Sequence, residues 1–156
     1  VMNDDNIVRS NAIKDTFAAS ENTDVVFELE TEELTIDQGY SYAESAMTYD
    51  SGIRLIASFS SSVAIGASNY IIANPADELK MYAVFGSDFT EDAAALVEQS
   101  KQDDSSVLRG ICNYGDGDPA GSVFNCALAL LTGAESAPYY CYDATVPINA
   151  VGYEMP

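Results

Sequence analysis

The residues best suited to hold a ligand are scattered along the chain. Arg9 carries a guanidinium that can donate two hydrogen bonds to a ring or hydroxyl oxygen, and a carboxylate or side-chain amide can span adjacent hydroxyls. The candidate positions fall in five windows, at residues 3–9, 30–34, 58–61, 86–88 and 113–116, which include Leu34, Ser60, Ser61, Asp88 and Asn113. The windows are mostly small, polar or acidic, with one arginine, an inventory that suits a neutral polyhydroxylated ligand better than a phosphate. Local roles compete at each position. Arg9 can pair with Asp5 on its own helix, Asp88 can cap a helix N-terminus, and Asn113 can be a plain loop residue.

Other chemistries have less behind them. There is no histidine, which excludes Ser-His-Asp and Cys-His catalysis, His-ligated zinc and an imidazole switch. The run Ser58-Phe59-Ser60-Ser61-Ser62 reads as a loop and cap, because a serine nucleophile needs a base. Gly115-Asp116-Gly117-Asp118 hints at calcium, but no 12-residue loop with a closing glutamate follows. Cys112, Cys126 and Cys141, 14 and 15 residues apart, form no C-x-x-C and read as buried free thiols, with one disulfide left open. No metal and no cofactor is expected. Six Lys and Arg against 25 Asp and Glu leave a net charge of −19, which repels phosphate backbones and makes nucleic acid an unexpected partner.

The elements that must position these residues alternate between two periods. Helical spacing covers 6–19, 35–48, 61–73 and 119–131, and a further helix, capped by Ser87 or Asp88, runs to Ser100. Short continuous apolar runs predict strands near 24–29, 53–58, 80–85 and 107–112, with an extended stretch over 139–148. Tyr139, Tyr140 and Tyr142 in that stretch read as packing or interface surface. Asn74-Pro75 breaks the third helix, and Pro119 and Gly133 bracket the last. At 156 residues and 47 % hydrophobic, the chain is long enough to bury a core of its own. No stretch approaches the roughly 20 apolar residues of a membrane span. Val1-Met2-Asn3-Asp4 reads as the exit of a strand, so the chain is expected to be a trimmed fragment, with any targeting segment that exists left out of it. Strands with helices between them imply βαβ units and a doubly wound parallel α/β sheet with helices on both faces. Ligands of such sheets sit beyond the carboxyl ends of the strands, where the five windows fall.

The order of motifs resembles the second half of the type 1 periplasmic sugar-binding proteins, the solute receptors of ABC transporters. Arg9-x-x-Ala12-Ile13 is similar to their R-x-x-G-F. Ser51 to Ala67, with Ile53-Arg54-Leu55-Ile56-Ala57-Ser58 and Ala64-Ile65-Gly66-Ala67, is similar to P-D-I-x-A-I-F-A-x-N-D-x-x-A-L-G-A. Val84-Phe85-Gly86-Ser87-Asp88, Val107-Leu108-Arg109-Gly110-Ile111, Asp118-Pro119-x-Gly121 and Leu130-Leu131-Thr132-Gly133 follow in the same order. The resemblance implies a C-terminal lobe over 1–114, Rossmann-like, with 115–156 forming a hinge crossover, a helix that packs on an absent N-terminal lobe, and a returning segment.

By that resemblance Arg9, Asp88 and Asn113 match sugar-contacting positions, Asp88 as a bidentate acceptor and Asn113 as the hinge amide. Ser60-Ser61 stands where the family has N-D, removing an amide and a carboxylate, and Leu34 replaces an aromatic that would stack on a ring. The expected function is binding of a sugar or similar small polar solute, without catalysis. The implied partner is a membrane permease, and the implied place is the periplasm or, for a lipoprotein, the cell surface. Two readings stand beside it: the effector-binding domain of a lac-repressor-type regulator, and a carboxylate hydrolase using Asp88 with Glu33 or Asp116. If the 119–131 helix lacks its other lobe, its apolar residues are expected to drive self-association of the isolated lobe.

Overall fold

A computed structural model of the 156-residue chain describes residues 4–21, 24–30, 33–103, 105–113 and 149–152. Helices α1 (Asp4–Ala18) and α2 (Ile36–Tyr49) precede β1 (Leu55–Ala57), α3 (Ser61–Ala73), a 3-10 turn (Leu79–Met81), β2 (Ala83–Ser87), α4 (Glu91–Gln102), β3 (Leu108–Asn113) and β4 (Asn149–Gly152). The sheet order is β1-β2-β3-β4, and both the β1–β2 and β2–β3 pairs are parallel. The fold is α/β, Rossmann-like, with a parallel sheet flanked by helices. The chain divides into two compact units, Val1–Cys112 with Ala150–Pro156, and Asn113–Asn149. The helix expected over 119–131, the extended stretch 139–148, Cys126 and Cys141 lie outside the described residues.

Local chemistry sets the helix ends. Thr35 caps α2, its hydroxyl oxygen accepting from the Gln38 amide at 3.2 Å. The helix stops at Asp50, whose Oδ1 accepts from the Gly52 amide at 2.7 Å and turns the chain into β1. Thr90 caps α4 in the same way, through the Ala93 amide, with Glu91 and Asp92 in the first turn where the helix dipole favours negative charge.

Packing against the sheet follows from small residues. The connections β1-α3-β2 and β2-α4-β3 step across the sheet in one direction, so right-handed crossovers put α3 and α4 on one face. Gly86 of β2 meets α3 there: a Cβ on it would lie 2.8 Å from Ala64 Cβ. Helix α2 packs on α3 through Gly39 and Gly66. A Cβ on Gly39 would collide with the Val63 carbonyl oxygen, and one on Gly66 with that of Ile36. The core on this face joins Ala43, Ala46 and Met47 of α2, Ala64, Ala67 and Ile71 of α3, Ala93 and Val97 of α4, and Tyr82, Val84, Leu108 and Ile111 from the sheet. Among the described residues, none of α1 belongs to it.

Arg109, the second residue of β3, is fully buried. Its Nε donates to the Tyr82 carbonyl at 3.2 Å, Nη1 to Ser100 at 3.1 Å and Nη2 to Leu79 at 3.3 Å. One guanidinium thus gathers the 3-10 turn, the start of β2 and the end of α4.

Several expectations need correction. Residues 24–30 form no strand; they face β1 across a groove instead of pairing with it. The strand expected at 53–58 shrinks to Leu55–Ala57. The one expected at 80–85 begins at Ala83, because the Met81 amide closes a 3-10 turn onto the Glu78 carbonyl at 2.9 Å. That delay brings Gly86 and Ser87 into β2. The strand expected at 107–112 is Leu108–Asn113, so Asn113 ends the strand rather than following it. Neither Ser87 nor Asp88 caps α4; Thr90 does. Cys112 is free but exposed, not buried, because the pleat turns Ile111 into the core and Cys112 away from it.

Candidate functional site

β2 is the element that positions the site. Its side chains alternate: Val84 and Gly86 face α3, so Phe85 and Ser87 turn to the opposite face. The strand ends at Ser87, and the next residue, Asp88, has φ of 70°. That is the left-handed region, which costs most side chains energy but which aspartate tolerates better than most. It is the one non-glycine residue with positive φ among those described. The bend throws the Asp88 carboxylate out of the strand direction and toward α1.

There it meets Arg9. Arg9 Nη1 donates to Asp88 Oδ1 at 2.9 Å, joining groups 79 residues apart. The arginine side chain is 23 % exposed and the carboxylate 45 %, so the pair is sheltered yet reachable. The serine loop after β1 lies alongside. The Ser58 amide donates to the Phe85 carbonyl at 2.9 Å, and the Ser60 carbonyl oxygen lies 3.5 Å from where a Gly86 Cβ would stand. Ser60 is the N-cap of α3 without a side-chain cap bond, Ser61 its first residue, and both are buried.

Ser87 adds a feature that neither its place in the 86–88 window nor its reading as a cap foretells. Its hydroxyl is buried and finds no hydrogen-bond partner. Buried polar atoms are nearly always paired, so an orphan beside an accessible ion pair is a candidate ligand donor or acceptor. The signal in the sequence is the Gly86-Ser87-Asp88 triplet closing an apolar run.

Of the sequence-derived positions, the structure brings Arg9 and Asp88 together and sets Ser60 and Ser61 beside β2's carboxyl end. Asn113 is the last residue of β3, one past Cys112, which pairs with Ser87 in the ladder. Leu34 stands just ahead of the α2 cap and is 40 % exposed. Arg9 pairs with Asp88 across the fold, beyond the local Asp5 pairing that the sequence also allowed. Among the described residues no group of three Cys, Asp or Glu side chains could hold a metal ion. No helix there is long and apolar enough to cross a membrane. Chemically, the site offers a cation, an anion and hydroxyls at one edge of a rigid sheet, which is a set for hydrogen-bonding a polar solute.

Comparison with known proteins adds the fold and no more. No family model and no curated protein matches the sequence. Among solved structures, a crystal structure of a protein from Mycobacterium smegmatis superposes with a TM-score of 0.71 at 17 % identity. The match covers 96 % of this chain and 46 % of that one, so the chain spans about half the length of its structural neighbour.

Proposed function

We propose that this chain is one lobe of a receptor for a sugar or similar polyhydroxylated solute, serving as the binding component of an ABC importer. The observation that carries the reading is the Arg9–Asp88 pair at the carboxyl end of β2. In the absence of ligand each side chain satisfies the other. A solute with adjacent hydroxyls can replace both halves of that bond: one hydroxyl oxygen accepts from Arg9 and a hydroxyl proton goes to Asp88. The Ser87 hydroxyl, now without a partner, would gain one.

No bond is made or broken in this scheme. Transport function comes from closure of two lobes about a hinge, with the ligand favouring the closed form because it contacts both. The closed form would dock on a membrane permease outside the cytoplasm. A single lobe supplies half the contacts and binds weakly, so the test must detect weak binding. Saturation-transfer NMR of the chain with a panel of pentoses, hexoses and linear polyols should show transfer to at least one class. That transfer should vanish in Arg9→Ala and in Asp88→Ala while both variants keep their folded amide spectrum. Transfer that survives both substitutions, or no transfer from any member, would sink the reading.

A further inference from the structure

Ser87 and Cys112 stand side by side near the carboxyl end of the sheet, as register partners in the parallel β2–β3 ladder. Their neighbours Gly86 and Ile111 are also paired and face α3 and the core. Side chains alternate along a strand, so Ser87 and Cys112 both turn to the opposite face. Ser87 is 7 % exposed and its Oγ has no hydrogen-bond partner, whereas Cys112 is a free, exposed thiol. We propose that Cys112 is a site of reversible oxidation by hydroperoxides, and that Ser87 donates the hydrogen bond that holds the resulting sulfenic acid.

Two observations carry this independently. The first is the orphan hydroxyl. Buried hydroxyls are nearly always paired, yet Ser87 Oγ makes no bond even to the sulfur of its ladder partner. Neighbouring strands lie about 4.8 Å apart, which leaves a gap between two short side chains, and a thiol sulfur is a weak acceptor. An oxygen added to the sulfur reaches one bond further across that gap and accepts more strongly. The reduced pair thus holds a donor without an acceptor, and the oxidised pair supplies one.

The second is access. The Cys112 thiol is open to a small oxidant, while the hydroxyl beside it is sheltered from water that would compete for its bond. Gly110, the preceding residue of β3 on that face, carries no side chain to shield the sulfur.

The chemistry closes. The sulfur attacks the terminal oxygen of the hydroperoxide; the S–O bond forms, the O–O bond breaks, and the thiol proton leaves with the departing oxygen as water or an alcohol. Sulfur is oxidised by two electrons and the peroxide is reduced by two. A small thiol then displaces water to give a mixed disulfide, and a second releases the Cys112 thiol. This inference does not rest on the sugar reading. Where both hold, the added oxygen occupies the hydroxyl that a solute would use, so oxidation weakens solute binding.

The experiment treats the 156-residue chain with one equivalent of hydrogen peroxide and traps sulfenic acid with a cyclic dione after increasing delays. Peptide mass mapping reads Cys112 apart from Cys126 and Cys141. The expected result is trapping at Cys112, with a sulfenic acid that outlasts that of Ser87→Ala by about fivefold, the factor one ordinary hydrogen bond supplies. Ser87→Thr, which keeps the hydroxyl, should stay close to wild type. The alanine variant should keep its folded amide spectrum, since it removes an unpaired buried group. The Ser87 Cβ resonance of the unsubstituted chain should also shift on oxidation, a readout that needs no variant. No trapping at Cys112 in the folded chain would overturn the proposal. Equal lifetimes with and without the Ser87 hydroxyl, or an unmoved Ser87 resonance, would overturn it too. A disulfide from Cys112 to Cys126 or Cys141 in place of the sulfenic acid would assign the thiol to pairing and overturn it as well.

Discussion

Arg9 Nη1 and Asp88 Oδ1 lie 2.9 Å apart, although 79 residues separate them, and Asp88 adopts φ of 70° where it makes this bond. The left-handed residue and the ion pair are one feature: the backbone turn aims the carboxylate at α1. The pair is partly exposed, which limits its worth to about 0.5–1 kcal/mol.

A double-mutant cycle with Arg9→Ala and Asp88→Ala should give a coupling of that size at low salt, shrinking as ionic strength rises. Asp88→Gly should be more stable than Asp88→Ala, since glycine adopts the left-handed conformation freely and alanine gives up roughly 1 kcal/mol there. Urea midpoints of the four variants check both statements. Equal stability of the glycine and alanine variants would remove the strain argument.

The α2–α3 contact depends on missing side chains. Gly66→Ala places a methyl against the Ile36 carbonyl oxygen, and Gly39→Ala one against Val63. Backbone atoms cannot rotate aside, so the helices must separate. Each substitution should lower stability by about 1–3 kcal/mol, and Gly52→Ala, which meets only the Asp50 side chain, by less. Denaturant titration of the three variants gives the ranking.

Two exposed groups should report their neighbours by pH. The side-chain and backbone bonds from Ser105 hold the Asp103 carboxyl below its ordinary 3.8. A folded-state value lower than the unfolded one contributes stability above pH 3.8, lost as pH falls through the folded value. The hydrogen bond and charge of Glu28 hold the Lys14 ammonium above 10.5, so its contribution is complete below that pH and fades as pH rises through the folded value. NMR titration should find the Asp103 carboxyl returned toward 3.8 in Ser105→Ala and the Lys14 ammonium toward 10.5 in Glu28→Gln.

The fold was legible where local signals stood alone. Apolar periodicity with Thr35 or Asn74-Pro75 at its ends marked α2 and α3 to within a residue. The sequence misled where tertiary context decided. Val25-Val26-Phe27 has every preference of a strand, but a ladder needs a partner beside it, and residues 24–30 face a groove. The 3-10 turn at Leu79–Met81 moved β2 by three residues, because apolar content alone cannot tell a turn from a strand start. At the site, Arg9 and Asp88 could be nominated from the carboxyl-end rule, whereas the orphan hydroxyl of Ser87 depends on a burial that no residue type announces.

Arg109 should be the most costly single polar side chain to lose. It sits in β3 at 0 % exposure, and its three donors reach the carbonyls of Leu79 in the 3-10 turn, Tyr82 just before β2 and Ser100 in α4. The planar fork is what lets one side chain serve all three, since its N–H groups diverge in fixed directions. Arg109→Met keeps most of the apolar volume but strands the Tyr82 and Ser100 carbonyls in the interior, at about 1–3 kcal/mol for each buried group. The expected loss is on the order of 3–5 kcal/mol, a large share of the 5–15 kcal/mol typical of a domain. Arg109→Lys keeps the charge but offers a single ammonium on a flexible stem, which cannot span carbonyls from three elements, so its loss should fall between wild type and the methionine variant. Hydrogen exchange adds a local signature: protection should drop first at the end of α4 and the start of β2, while the α2–α3 pair stays protected. A methionine variant within 1 kcal/mol of wild type, with α4 protection unchanged, would show that hydrophobic packing alone holds this corner.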